Sequence, residues 1–433
     1  MADPAEPVEP VGSVGEAATR PLALLRDRTF GPFWVGNLVS NAGNWFQNLA
    51  AAVVVYEVTG SNTLVGVVSV LQFTATLLLS PWAGVLGDRF DRRRLLIASQ
   101  SLSGVGAGAL AVAVVTLGVD GLGGPVPIFA ATIVIGVGYA MSVPMVQAIV
   151  PQLVAPRDLD GAIALSSVTF NLARAIGPAV AGALIAAAGA GAAFGVNTLS
   201  FAVMVAVLLV IRPRPQPARD PAADRSLRAG LRWVKEDPVA VPVLLATLAL
   251  GFASDPVNTL TPAVSEQLGR GDGFVGALVS AFGAGAASSA LLVEATRRRL
   301  GHRGATRLGL ALVAAGMVGL AAASAPVAAL AALFVAGAGF LIGITSLNGA
   351  IQRRVPDELR ARVMALWSVS LLGVRPLAAV VDGALADLTT VSTALVLAGV
   401  VPVVAVALLA RATLDPGTPG GPQVGGTQTH ART

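Results

Sequence analysis

An all-α membrane protein, with about twelve transmembrane helices in two pseudo-symmetric six-helix halves, is the fold predicted for this 433-residue chain. Apolar runs of about 20 residues recur along it, the length at which a helix crosses a hydrocarbon core of roughly 30 Å. Hydrophobic residues make up 55% of the chain and charged residues only 12%, a balance foreign to soluble domains. Its 49 glycines, with abundant Ala, suit helices that pack closely in lipid. Open sheets are excluded in that medium, because unpaired backbone groups find no water there.

Taken in order, residues 1–28 form a tail rich in Pro, Gly and acids, with no apolar core of a signal peptide. Spans are expected near 31–57, 62–86, 95–118, 126–150, 160–188 and 191–211, giving an N-terminal half over 29–211. The linker, 212–238, is rich in Arg and Pro and contains an amphipathic piece at 227–235 suited to the membrane surface. A C-terminal half over 239–411 holds spans near 239–265, 273–296, 305–324, 326–351, 359–386 and 390–410. Residues 412–433, rich in Gly, Pro and Thr, are expected to be a disordered tail. An internal repeat supports the division. Val154-Ala155-Pro156-Arg157-Asp158-Leu159 resembles Arg354-Val355-Pro356-Asp357-Glu358-Leu359, and Gly177-Pro178 parallels Arg375-Pro376.

Charge sets the orientation. Of the 29 Lys and Arg residues, all but Arg174, Arg270 and Arg375 fall in the tails, the central linker or the loops on one side of the expected bundle. That asymmetry predicts a multi-pass protein of the cell membrane with both termini in the cytoplasm. The pI of about 10.7 is thereby explained by anionic lipid headgroups, with no nucleic acid as partner. Cysteine is absent and histidine is limited to His302 and His430, so no metal site is expected. No Gly-x-x-x-x-Gly-Lys-Ser/Thr loop is present, so ATP is not the direct energy source. No cofactor and no enzymatic activity are expected, and a monomer is the expected state.

The stretch Gly84-Val85-Leu86-Gly87-Asp88-Arg89-Phe90-Asp91-Arg92-Arg93-Arg94 reads as a densely charged loop between two spans. Asp88 has the chemistry to cap the N-terminus of the span beginning near Asp357, where free N–H groups and the helix dipole favour an anion. Arg89, Arg92 and Arg93 are matched to Asp357, Glu358 or Asp160 in a latch that is made in one state and broken in another. The alternative is a solvated orientation signal.

This stretch resembles the signature loop of the major facilitator superfamily, Gly-x-Leu-x-Asp-Arg-x-Gly-Arg-Arg, matched by Gly84, Leu86, Asp88, Arg89, Arg92 and Arg93, with Asp91 replacing the usual glycine. That departure resembles the branch of enterobactin-type siderophore and macrolide exporters. So do Ser40-Asn41-Ala42-Gly43-Asn44-Trp45-Phe46-Gln47, Phe170-Asn171-Leu172-Ala173-Arg174-Ala175-Ile176-Gly177-Pro178 and Asn197-Thr198-Leu199-Ser200-Phe201. The resemblance implies the major facilitator fold and a secondary-active exporter, driven by protons, that moves a bulky amphipathic small molecule by alternating access.

Other candidates follow from cost. Asn37, Asn41, Asn44 and Asn48 share one face of the first span, which looks onto a wet cavity or a neighbouring helix. Arg174 lies deep in the fifth span, near Asn171, and either holds an anionic substrate or makes a structural pair. Gly177 and Pro178 are expected to bend that span. Asp255 and Asp382 are the buried acids best suited to proton coupling, because a desolvated carboxyl can load and release near physiological pH. Arg375, seven residues from Asp382, is either a static partner for it or part of the coupling site. The Arg that drug antiporters of the superfamily carry before a helix-4 glycine is replaced here by Thr132, ahead of Gly136. The readings weighed against export are an importer of a small organic solute in the same fold, a non-transporting sensor or scaffold, and a polytopic membrane enzyme.

Overall fold

The computed structural model describes residues 21–215 and 227–409. Residues 1–20 of the tail expected over 1–28, all of the tail expected over 412–433 with residues 410–411, and residues 216–226 of the linker lie outside the described residues. Every regular element among those described is helical. The first group comprises α1 (Phe30–Thr59), α2 (Asn62–Arg89), α3 (Arg92–Leu117), α4 (Val126–Leu153) and α5 (Leu159–Val210). The short α6 (Leu227–Glu236) follows, then α7 (Ala240–Ala253), α8 (Pro256–Thr259), α9 (Thr261–Gln267) and α10 (Asp272–Ser289). The chain ends with α11 (Val293–Ala321), α12 (Pro326–Gln352), α13 (Asp357–Leu372), α14 (Arg375–Leu388) and α15 (Val391–Leu409). Seven stretches among the described residues are long and apolar enough to cross a membrane. Val105, Val112 and Val115 of α3 and Val403 and Val404 of α15 turn outward, as lipid-solvated side chains do.

Helix ends do not follow the apolar runs everywhere, and the reasons are local. The two runs expected at 160–188 and 191–211 are two helices that meet at a kink at Gly189 (φ 76°, ψ 171°), numbered together as α5; glycine tolerates that backbone state. Gly301 (φ 66°, ψ 175°) does the same inside α11. Conversely, the run at 239–265 is broken into α7, α8 and α9, and the run at 359–386 into α13 and α14. Pro256, Pro262 and Pro376 stand in the first turn of α8, α9 and α14, where a proline begins a helix but cannot continue the one before it.

The stretch 84–94 is not a loop. The helix α2 runs through Arg89 and α3 starts at Arg92, leaving only Phe90 and Asp91 between them. Asp91 is the N-cap of α3, its carboxylate accepting from Arg94 N at 2.8 Å, so the residue that departs from the glycine pattern has a capping role.

Buried residues at the arginine-rich end, Phe30, Phe33, Leu96, Met145, Ile149, Met204 and Leu208, knit α1, α3, α4 and α5 together. The first and second groups of helices meet toward the opposite end, which carries the α1–α2 turn and Asp387. There α14 runs along α2, and α10 along α5. Small residues set the separation: a Cβ on Gly66 would stand 2.4 Å from the Ala379 carbonyl oxygen, and one on Gly182 would stand 2.3 Å from Gly276 Cα. Gly383 meets the Asn62 carbonyl in the same way, at 2.5 Å.

Candidate functional site

Two of the three proline-initiated breaks carry a charge. Asp255 occupies the gap between α7 and α8, and Arg375 is the first residue of α14. Arg375 Nε lies 3.7 Å from Asp255 Oδ1, an ion pair too long for a hydrogen bond. Asp255 is fully buried, and its Oδ2 accepts from Thr259 Oγ1 at 2.7 Å. Two turns along α14, Asp382 is also fully buried, and neither of its carboxylate oxygens has a hydrogen-bond partner. It is close enough to Asp255 to feel that charge.

The guanidinium of Arg375 stands 5.0 Å from the ring centroid of Phe73, which comes from α2. Tyr139 of α4 is near enough to sense the same cation. The group therefore belongs to the second set of helices but is faced by the first. Two fully buried acids and one partly exposed cation leave an anion at Asp382 uncompensated. Arg375 pairs with Asp255, across α7–α8 and α14; of the two alternatives for Arg375, the static pair with Asp382 on its own helix is not the one formed.

The face of α1 bearing Asn41, Asn44 and Asn48 is half-buried. Asn41 Nδ2 donates back to the carbonyl of Asn37 at 2.7 Å. The adjoining face is the one that glues helices: Gln47 accepts from Asn197 Nδ2 at 3.2 Å, and Ser40 donates to Gln100 at 3.3 Å. Gln100 in turn donates to Ser142 at 3.4 Å, and Ser99 and Ser142 share a 2.8 Å bond. Asn171 and Arg174 lie in α5, ahead of Pro178; their side chains are outside the described residues. Gly177 packs where a Cβ would stand 2.9 Å from Trp45, and the Pro178 carbonyl lies against Gly276.

In the signature stretch, Gly84 and Asp88 sit in the last two turns of α2, with the Asp88 side chain outside the described residues. Arg89 is exposed. Arg92 donates to the Ala148 carbonyl at 2.9 Å, and Arg93 to the carbonyls of Leu208 and of Leu209, the latter at 2.7 Å. These are bonds within the first group of helices. Residues that sequence reasoning did not single out are Phe73, Thr259, Tyr139 and Asp387. An aromatic or hydroxyl side chain inside an apolar run carries no signal of its own, and Asp387 reads as an ordinary acid beside a turn.

A family model described as transmembrane secretion effector matches residues 19–419. The enterobactin exporter EntS of Shigella boydii serotype 4 (strain Sb227) is 26% identical over 365 residues, covering 80% of this chain and 83% of that protein. EntS of Escherichia coli O6:K15:H31 (strain 536 / UPEC) matches to the same extent, 26% over 365 residues. Among solved structures, the nucleoside transporter NupG (D323A mutant) superposes with a TM-score of 0.71 at 14% identity, covering 88% of this chain and 99% of that one. A bacterial homologue of the iron transporter ferroportin, in an inward-facing state, gives a TM-score of 0.67 at 17% identity over 89% of this chain and 99% of that one.

Proposed function

Because the chain belongs to the transmembrane secretion effector family and is a transporter of major facilitator type, we propose that it is a proton-driven exporter. Its cargo in this reading is a bulky amphipathic organic compound, a siderophore or an antibiotic-like drug, moved by alternating access. Two six-helix halves, 29–211 and 239–411, rock about the seam of α2 with α14 and α5 with α10. In that count α5 supplies two crossings, α7–α9 one, and α13–α14 one. The arginine-rich end, with both termini, faces the cytoplasm. Export is favoured over import because the relatives at 26% identity are named as exporters of enterobactin.

The observation that carries this reading is the pair of buried acids, Asp255 and Asp382, with Arg375 between two helix breaks and the Phe73 ring of the other half against its guanidinium. Broken helices at mid-depth are where transporters hold substrates and coupling ions. Asp382 is the proposed proton carrier, and Arg375 the cation that answers its change of charge. The cargo enters from the arginine-rich side. On α2, Leu78 and Trp82 toward that side are exposed whereas Val65 and Val68 at the other end are buried; on α5, Ile163 and Val168 contrast with Ala181 and Ile185 in the same sense. Asn41, Asn44, Asn48, Asn171 and Arg174 are proposed to line the path, and Asp88 with Arg89, Arg92 and Arg93 to close its cytoplasmic mouth.

Everted vesicles test the proposal, with enterobactin as first cargo and an acidic lumen as driving force. The wild type loads the vesicles when the gradient is imposed, and Asp382→Asn does not, at equal amounts of inserted protein. Loading indifferent to the gradient removes proton coupling. Gradient-driven loss of preloaded cargo from the lumen makes the protein an importer.

A further inference from the structure

Asp387 is the second-last residue of α14, where an anion meets the negative end of its own helix dipole. Its own helix therefore gives no reason for an acid there. The carboxylate instead reaches across the seam to the first turn of α2. Oδ1 accepts from the Asn62 backbone N and from Asn62 Nδ2, both at 2.9 Å. Oδ2 accepts from Ser61 Oγ at 2.7 Å and from Thr63 N at 2.8 Å. Two of these donors are backbone groups that the start of a helix leaves without an internal partner. Ser61, the N-cap of α2, also accepts from Leu64 N at 3.3 Å, so the first turn of α2 is completed jointly by its own cap and by an acid from the other half.

The surroundings make this contact dependent on conformation. Gly66 and Gly383 hold α2 and α14 at backbone contact beside it, and Tyr56 Oη of α1 donates to Glu266 of α9 at the same end. Any motion that opens this end must part α2 from α14, which strips Asp387 of all four donors at once. We propose that Asp387 is the outer latch of the transport cycle, holding the inward-facing state by capping α2 and released when the outer side opens. The inference rests on the alternating-access reading above.

The arrangement has a counterpart at the opposite end of the same helix pair. Asp88 lies in the last turn of α2, and the first turn of α13 begins at Asp357. Each of the two crossings thus carries an acid in its last turn and begins with a turn whose backbone donors an acid of the other can reach. That turn of α2 lies beside the Ser61 cap, and that of α13 follows Pro356, which offers no side-chain cap. One cap is made as its counterpart is released, so the two states exchange similar polar contacts and neither becomes a trap.

The test reads conformation in the full chain without cargo or gradient. The chain has no cysteine, so Asp120→Cys and Gln267→Cys, both exposed at the outer end, accept spin labels for a distance measurement across the seam. Asp387→Asn keeps the shape and removes the charge. Asn62→Pro removes the Asn62 backbone donor and its amide at the first helical position, where proline is tolerated, after a Ser61 that is already extended. Each variant is expected to raise the ratio of long to short distances about tenfold. Together they should exceed either alone by little, because they cut the same contact. An unchanged distribution in either variant, or fully additive shifts, overturns the latch. If Asp387→Asn is not recovered folded, Asn62→Pro carries the decision. A wrong cargo or coupling ion leaves this measurement intact, and a failed latch leaves the exporter reading standing.

Discussion

Arg375 has one acid at 3.7 Å and one aromatic face at 5.0 Å, while its Nε lacks a hydrogen bond. A cation held this loosely at depth can change partners. Its removal, however, leaves Asp255 buried and unpaired, which costs about 3–5 kcal/mol. Arg375→Ala is therefore expected to lower the thermal unfolding temperature in detergent. The double variant Asp255→Asn/Arg375→Gln should recover most of that loss yet remain inactive in efflux. If the single variant unfolds at the wild-type temperature, the pair contributes nothing to the fold. The amides of α1 divide in the same measurement. Gln47→Ala strands the Asn197 donor and should cost about 1–3 kcal/mol, whereas Asn44→Ala should stay within about 0.5 kcal/mol. Sequence reasoning places Asn44 on the asparagine face of the first span by helical spacing alone. It has no means of seeing that Asn197 comes from a distant part of the chain to meet Gln47.

At the scale of elements, prolines and glycines decide where crossings break and where they touch. The apolar runs predict helices at 239–265 and 359–386; the prolines inside them are visible, but not that Asp255 at one break and Arg375 at another would face one another. The charged stretch 84–94 reads as a loop because charge density suggests exposure; instead α2 runs to Arg89 and Asp91 caps the start of α3, which leaves two residues between the helices. Glycine abundance predicted close packing without saying which pairs approach. Gly182 and Gly276 do, and overpacking at such a crossing costs about 1–3 kcal/mol. Gly276→Leu should accordingly abolish efflux and hold the outer ends apart in the spin-label measurement. Gly195→Ala, with nothing within 4 Å, should do neither. Normal efflux by Gly276→Leu would show that the α5–α10 seam opens freely.

For the whole molecule, orientation is the claim on which direction of transport depends. It is tested with single cysteines in the cysteine-free chain. An impermeant maleimide added to intact cells should modify Asp120→Cys, beside the α3–α4 turn, and spare Arg232→Cys on α6. The opposite pattern inverts the topology, and cargo would then be expected to move inward. The segment α6 is not simply a helix on the membrane surface: Gly230 packs against Arg362 of α13. Just beyond α6, Arg354 pairs with Asp237 at 2.9 Å, and Asp237 also caps the approach to α7 through Val239 N and Ala240 N.

The motif residues of 84–94 carried the family that the chain resembles, and the length and polarity of the apolar runs were enough by themselves to determine a helical membrane protein. Those properties depend on transfer from water to lipid, which each segment feels on its own. Which acid meets which cation, and which acid caps which helix, was decided only when distant segments came together. Asp387 and Ser61 are 326 residues apart in the chain, and no local pattern records a partner chosen at that distance. Charge is affordable inside lipid only in company, and the company is a property of the fold.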